Sequence, residues 1–443
     1  MFLFSIAILL FFIVIPACAE ESSVIETGYT YVDGDTCDVF SFPATDKFSH
    51  LGLSKGEVAY SKNNDDPLIY KWNSKTGELK TFDTTELAEK KEDWISFWME
   101  IKCLDISNGV VYYSLSTHKT TPTGTSASPD GLFCFDGVIN ENVIQRHFID
   151  DLLVGNNLVL IKDSSDYTDE PQIDTMRLRI YSSDSRDVIT IDNRTDISDP
   201  IGFGEKKVAV LAHGIGSHES DDRIPSDGIA VFDLVPALTG GKVEQITIPE
   251  AIDISSDEYV NVDQDCFSDR YFVWTKGRGI TGEDSDRFHC NLYVTDLNTL
   301  QNTIIDSKDD LFFGHYAYAV DSDYLVYKNE DKIFLYHIPD GEKTEIRITG
   351  NNEFEVGDIV EFDEGQFLVR AYPKEFAGYE PSEYEIWFVD LNPFINPVEA
   401  GEIGAVETDN NEPGKTEAPL SPVVSVFSLL TAAALFTGSW GKR

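Results

Sequence analysis

The stretch 291-NLYVTDLNT-299 is a short apolar run through Leu292, Tyr293 and Val294 that stops at Asp296 and a turn. Such a run bounded by Asp, Asn and Thr reads as a β-strand entering a tight turn. The same phrase returns along the chain as 68-LIYKWNSKTGE-78, 227-DGIAVFDLVPALTGG-241, 333-IFLYHIPDGE-342 and 384-YEIWFVDLNP-393. A strand and turn copied this often is the mark of a repeat architecture rather than of a single sheet.

Aligning the apolar runs gives seven units, each with a strand, a polar loop, a second strand, a turn and a third strand. The first runs are EVAYS (from Glu57), GVVYYS (Gly109), NLVLIK (Asn157), KVAVLA (Lys207), RYFVWT (Arg270), DYLVYK (Asp323) and QFLVRA (Gln366). Equivalent runs recur every 43 to 63 residues, roughly the length of a four-stranded propeller blade with variable loops. One such sheet cannot bury both its faces, but a closed ring of them can. The expected fold is therefore all-β, a β-propeller best counted as seven blades of about four antiparallel strands, plus one C-terminal transmembrane helix. Residues 27–50 carry strand-like pieces ahead of the first unit and are expected to complete a terminal blade, closing the ring.

Residues 270–305, RYFVWTKGRGITGEDSDRFHCNLYVTDLNTLQNTII, resemble the repeat of TolB-type, WD-repeat-like β-propellers and of their relatives in archaeal cell-surface proteins. The resemblance rests on an aromatic-ended strand, a polar hairpin with Arg and Gly, and an LY-x-x-D-L-x-T strand and turn. It extends over residues 50–395 and implies a fold rather than a chemistry, because such propellers host binding, scaffolding and catalysis alike.

Composition narrows the function. The chain of 443 residues has 78 acidic and 34 basic side chains, a net charge of -44, and 12% aromatic residues. The acidic residues are spread through the loops, so nucleic-acid and nucleotide phosphates are repelled. Residues 1–19 read as a signal peptide: Phe2 to Ile15 is apolar and Ala17-Cys18-Ala19 offers a cleavage site. Ile15-Pro16-Ala17-Cys18 equally suits lipidation of Cys18, and both routes stay open. The ectodomain is expected over 20–396, an acidic disordered stalk over 397–419, a membrane anchor over 420–440 and a basic cytoplasmic tail over 441–443. The expected address is the cell surface, with the ectodomain outside.

Motifs of chemistry are few. Gly277-Arg278-Gly279-Ile280-Thr281-Gly282 matches G-x-G-x-x-G, but an acidic segment and a strand follow it where a dinucleotide site needs a helix, so it reads as a hairpin loop. No G-x-S-x-G elbow occurs. The Asp-rich loops holding Asp163, Asp166, Asp169, Asp221 and Asp222 offer hard oxygen ligands suited to calcium. His213 and His218 stand beside acidic residues as a weaker metal candidate. Cys103 and Cys134 occupy the same relation in one unit as Cys266 and Cys290 three units later, which suggests two disulfides with Cys37 left over. Strands flanking a common neighbour lie about 10 Å apart, so those bridges require one cysteine of each pair in a connecting loop. Asn193 in Asn193-Arg194-Thr195 is a glycosylation candidate.

The sequence thus favours a surface binding or scaffold module for a glycan, an envelope protein or a cell contact. The alternatives are an extracellular polysaccharide hydrolase or lyase and a passive envelope spacer. No catalytic residue stands out.

Overall fold

The computed structural model describes residues 25–32, 35–42, 50–62, 66–87, 95–137, 140–145, 149–155, 158–163, 177–182, 188–192, 197–203, 207–213, 227–238, 244–246, 258–262, 266–279, 288–310, 316–349, 353–374 and 384–395. All lie in the first of two compact units, Met1–Pro397. The signal segment, stalk and membrane anchor read from the sequence lie outside the described residues, among which no helix is long and apolar enough to cross a membrane.

The described chain is built from antiparallel strands. It opens on a hairpin, β1 (Ile25–Val32) and β2 (Asp35–Phe42). Four-stranded meanders follow: β3 (His50–Ser54), β4 (Glu57–Ser61), β5 (Leu68–Asn73) and β6 (Leu79–Asp83) form the first. The second is β7 (Ser96–Ser107), β8 (Val110–Thr121), β9 (Gly124–Phe135) and β10 (Asn140–Gln145). The third is β11 (Ile149–Gly155), β12 (Leu158–Asp163), β13 (Arg177–Ser182) and β14 (Val188–Asp192). Next come β15 (Ile197–Phe203), β16 (Lys207–His213), β17 (Asp227–Asp233) and β18 (Glu244–Ile246). The fifth is β19 (Glu258–Asn261), β20 (Tyr271–Gly279), β21 (Phe288–Asp296) and β22 (Gln301–Asp310).

The remaining strands share one nine-stranded sheet. β23 (Tyr318–Asp321), β24 (Tyr324–Asn329), β25 (Lys332–His337) and β26 (Glu342–Thr349) make one half, and β27 (Phe354–Asp363), β28 (Gln366–Pro373) and β29 (Glu385–Asp390) the other. The N-terminal hairpin joins the halves, since β1 pairs with β26 and β2 with β29. Val39 lies opposite Val389 and Phe40 opposite Phe388, so the expected completion of a terminal blade by the N-terminal segment is met.

Packing runs from sheet to sheet in chain order and returns to its start. Ala59 and Ile69 of the first meander pack against Ile101, Tyr113 and Phe133 of the second, while Cys103 and Tyr112 pack on Leu152 and Val159 of the third. Trp274 and Tyr293 meet Tyr318 and Tyr327, and Val326 meets Phe367 and Val369. Leu368, Ile386 and Phe388 then pack against Val58, Tyr60 and Trp72. Trp72 stands edge-on to Phe388 with ring centroids 5.2 Å apart, and edge-on to Phe42 at 5.0 Å. Each buried aromatic of this seam contributes about 2 to 3 kcal/mol of apolar burial. Four-stranded sheets facing one another in sequence, with the first sheet against the last, are the architecture of a β-propeller.

Two sequence expectations are corrected. The runs read as first strands are the second strand of each sheet; a strand closer to the axis, β3, β7, β11, β15, β19, β23 or β27, precedes each one. Register shifts at Ile101/Cys103, Ile149/Asp151, Ile197/Pro200, Val356/Asp358 and Ile359/Glu361 break the alternation of these inner strands and hide them from a period-two reading. The glycine motif is in part strand, with Gly277, Arg278 and Gly279 laddered to Cys290, His289 and Phe288.

Candidate functional site at the channel mouth

Among the described residues, the inner strand turns tightly into the second in the first and second sheets and in both halves of the nine-stranded sheet, and these turns ring one cavity. The turn pairs are Lys55-Gly56, Asn108-Gly109 and Glu364-Gly365, with φ of 52 and 80°, 49 and 80°, and 46 and 77°. Positive φ at both positions is the two-residue hairpin geometry that matches strand twist. Glycine is needed at the second place: a Cβ on Gly365 would stand 2.7 Å from Asn392 Oδ1 in addition to the φ cost.

The residue ahead of a turn reaches across to the next sheet. Asp363 Oδ2 accepts the Lys55 N–H at 2.6 Å, and Ser54 Oγ accepts the Asn108 N–H at 3.2 Å. Asp105 Oδ2 accepts the Val154 N–H at 2.7 Å, and Asp321 Oδ2 accepts the Glu364 N–H at 2.7 Å. Ser268 Oγ donates to the Ser322 carbonyl at 3.1 Å. Four of these side chains accept a backbone amide of the next sheet and Ser268 donates to a carbonyl there, so they tie neighbouring sheets together.

Within this ring lies a cavity of about 470 Å³. Its lining carries six acidic side chains, Asp269, Asp321, Asp323, Glu361, Asp363 and Glu364, against the bases Lys55 and Arg270. Burial pushes the Asp363 carboxyl up to about 7; the Lys55 amide opposes the shift, while Asp321 and Glu364 add to it. Burial also raises Asp321, against the Ser322 hydroxyl and the Glu364 amide. Lys55 Nζ stands 3.8 Å from Glu364 Oε1 with both side chains half exposed, a pair worth little. Arg270 is held by Asp296 at 3.1 Å and by Asp323 at 3.9 Å. The wall is rich in acceptors and negative in sign, suited to hydroxyl-bearing or cationic groups and hostile to phosphate or uronate.

The sequence candidates fall elsewhere. Asp163 ends β12, with its side chain outside the described residues, as are Asp166, Asp169, Asp221, Asp222 and the sequon Asn193. His213 ends β16 and His218 lies outside the described residues. Among the described residues no three His, Cys, Asp or Glu side chains are grouped to hold a metal ion. Neither suggested pair, Cys103 with Cys134 or Cys266 with Cys290, is brought together by the strand register. Cys103 lies opposite Ser114 and Cys134 opposite Tyr112, on the two strands flanking β8, with Cys103 Sγ 2.9 Å from Ser114 Oγ. Cys266 accepts the Val273 N–H through its carbonyl, whereas Cys290 pairs with Gly277. Each pair is thus split by a full strand and offset along it, beyond the Cα reach of a disulfide of about 7 Å. Cys37 lies in β2. The mouth residues were legible only as a repeated Ser or Asp before a turn pair: 54-SKG-56, 107-SNG-109, 321-DSD-323 and 363-DEG-365.

A ring of four-stranded sheets with a cavity lined by its inter-strand turns defines the chain as a β-propeller. No protein-family model matches it, and no curated protein matches its sequence. Among solved structures, it is similar to an oligogalacturonate lyase in complex with manganese at 11% identity and a TM-score of 0.45, over 83% of this chain and 97% of that one. TolB from Acinetobacter baumannii is similar at 11% identity and a TM-score of 0.28, over 76% and 77% of the two chains. Dipeptidyl peptidase 4 of Porphyromonas gingivalis is similar at 10% identity and a TM-score of 0.40, over 75% of this chain and only 50% of that one. These likenesses concern the fold alone.

Proposed function

We propose that this chain is an exported, membrane-anchored seven-bladed propeller acting at the cell surface as a binding or scaffold module, its ligand entering the acidic mouth. The count of seven is supported by reading the nine-stranded sheet as two blades joined through β1. The single observation that carries the binding reading is the 470 Å³ cavity framed by turns of successive sheets, where acceptors outnumber cations. Its sign selects a neutral glycan or the basic side chains of an envelope protein, and argues against nucleic acid, nucleotides and polyanions. The leader, the charge-free segment 420–440 and the basic pair Lys442-Arg443 support the address, archaeal relatives included only through the repeat's resemblance. Calcium held by the Asp-rich loops is part of the same proposal.

One observation favours polysaccharide cleavage as the second reading: Asp363, with a carboxyl near 7 inside a concave site, has the proton affinity of a general acid or base.

The test is retention of the purified full chain on isolated cell envelopes, with calcium and then with chelator, beside Arg270→Ala and Asp323→Asn. Saturable retention weakened about tenfold by either substitution supports binding at the mouth. Retention indifferent to both moves the function to another face. Release of oligosaccharide from envelope glycan, lost in Asp363→Asn, establishes the enzyme reading instead.

A further inference from the structure

The second meander differs from its neighbours in length. β7, β8 and β9 each run 12 residues, whereas β3, β4 and β5 run 5, 5 and 6. The Ser107 to Val110 turn lies at the mouth, so the added length carries the other ends of these strands away from it. On that extension stands Trp98, 39% exposed, just ahead of Met99 and Ile101, which are 3% and 1% exposed and belong to the core.

Trp98 is held in place. Its ring stacks on the cross-strand partner His118, with centroids 4.8 Å apart and planes within 8°. His118 Nε2 lies 2.5 Å from Glu100 Oε2, and Glu100 Oε1 takes Lys102 Nζ at 2.7 Å. The fold thus spends three polar side chains on fixing one exposed indole, an arrangement that adds little to the core and removes the entropy cost of ordering the ring when something binds.

Its neighbours on the same sheet face are small. The ladder sets Ser96 opposite Thr120, Thr120 opposite Thr125, and His118 opposite Ala127. The indole therefore stands above a low surface bearing hydroxyls, with a carboxylate and an ammonium at its side. We propose that this face of the β7–β9 extension is a second binding site, whose occupant is a neutral pyranose of a glycan chain. A pyranose offers a flat apolar C–H face to the indole and equatorial hydroxyls to Glu100, Lys102 and the threonines. An apolar protein partner would require a contiguous apolar patch, which the described residues of this face do not form. A nucleobase would bring phosphates, which a chain of net charge -44 repels. A uronate is disfavoured on the same ground.

The site lies apart from the mouth and stands or falls separately from it. The experiment is titration of the full chain in detergent with cellohexaose, laminarihexaose, mannohexaose and hexagalacturonate, read by tryptophan fluorescence and calorimetry. At least one neutral hexasaccharide is expected to bind with a Kd below about 1 mM, and Trp98→Ala to weaken it about tenfold or more. Glu100→Gln is expected to weaken it as well, while Ile304→Ala, 54% exposed on β22 of the fifth sheet, leaves it unchanged. An unchanged melting temperature of Trp98→Ala shows that the loss is not unfolding; should that variant melt early, Trp98→Phe, which keeps a flat ring, is expected to retain part of the affinity. The proposal is overturned if no neutral saccharide binds at about 10 mM, if Trp98→Ala and Glu100→Gln bind as the parent does, or if hexagalacturonate binds as tightly.

Discussion

Asp363 owes its chemistry to the ring rather than to its neighbours in sequence. It takes one amide hydrogen bond, from Lys55, while burial and the charges of Asp321 and Glu364 lift its carboxyl to about 7. A carboxyl raised in the folded state binds its proton more tightly there than in the unfolded chain. Its contribution to stability is therefore full below about pH 4 and is lost as pH rises through about 7. Asp306 behaves oppositely: burial would raise it, but donors from Lys343 at 2.8 Å, Tyr327 at 2.9 Å and Asn329 at 3.1 Å carry it below the usual carboxylate range. Asp363→Asn keeps an acceptor for the Lys55 amide and removes the charge. The difference in urea stability between variant and parent is expected to grow by on the order of 2 to 4 kcal/mol from pH 4.5 to pH 8, in favour of the variant. A difference that stays flat across that range would show Asp363 to be an ordinary carboxylate.

At the scale of elements, the N-terminal hairpin is a clasp, because β2 supplies the fourth strand beside β29 while β1 extends the neighbouring sheet at β26. Val39 is fully buried among Ile359, Val369, Trp387 and Val389. Val39→Ala is expected to cost about 2 kcal/mol in denaturant unfolding and to speed proteolysis of the hairpin, whereas Ile304→Ala, on an outer strand and 54% exposed, is expected to stay within about 0.5 kcal/mol. Equal costs at the two positions would deny the clasp its role. The clasp was legible in the sequence because Phe40 and Phe42 stand in a strand pattern ahead of the first repeat. The second strands were legible too, being buried on both sides: EVAYS, RYFVWT and QFLVRA read as short apolar runs. The inner strands were not, since bulges in 354-FEVGDIVEFD-363 interrupt its alternation. The mouth was hidden for a different reason. Asp321 and Asp363 lie one repeat apart and look like common turn residues, and only ring closure sets Asp363 against Lys55 from the opposite end of the domain. Trp98 was equally silent, because exposure of an aromatic depends on how far its hairpin outruns the sheet.

The whole molecule carries its charge as a cost to compaction. With 78 acidic against 34 basic side chains, most carboxylates have no cation to pair with, and a closed ring brings acidic turns together at the mouth. Some pairs are well placed, such as Lys71 with Glu57 at 3.2 Å and Lys276 with Glu258 at 3.1 Å, both largely shielded. Others, such as Lys332 with Glu345 at 3.2 Å and Arg347 with Glu345 at 3.1 Å, are exposed and worth little each. Salt weakens repulsion and attraction alike, so its net effect reports which dominates. Self-repulsion should win here, because unpaired like charges far outnumber pairs and the Debye length contracts from about 20 Å at 0.02 M to about 4 Å at 0.5 M. The melting temperature at pH 8 is therefore expected to rise by about 1 to 3 °C over that range of sodium chloride, equivalent to about 1 to 2 kcal/mol for a ring of this size. Chloride is the salt to use, since sulfate would also strengthen apolar burial. Asp363→Asn should gain less than the parent, having one fewer buried charge to screen at the mouth. A melting temperature that falls with salt would mean that the shielded pairs between strands, not the acidic surface, set the electrostatic balance of the ring.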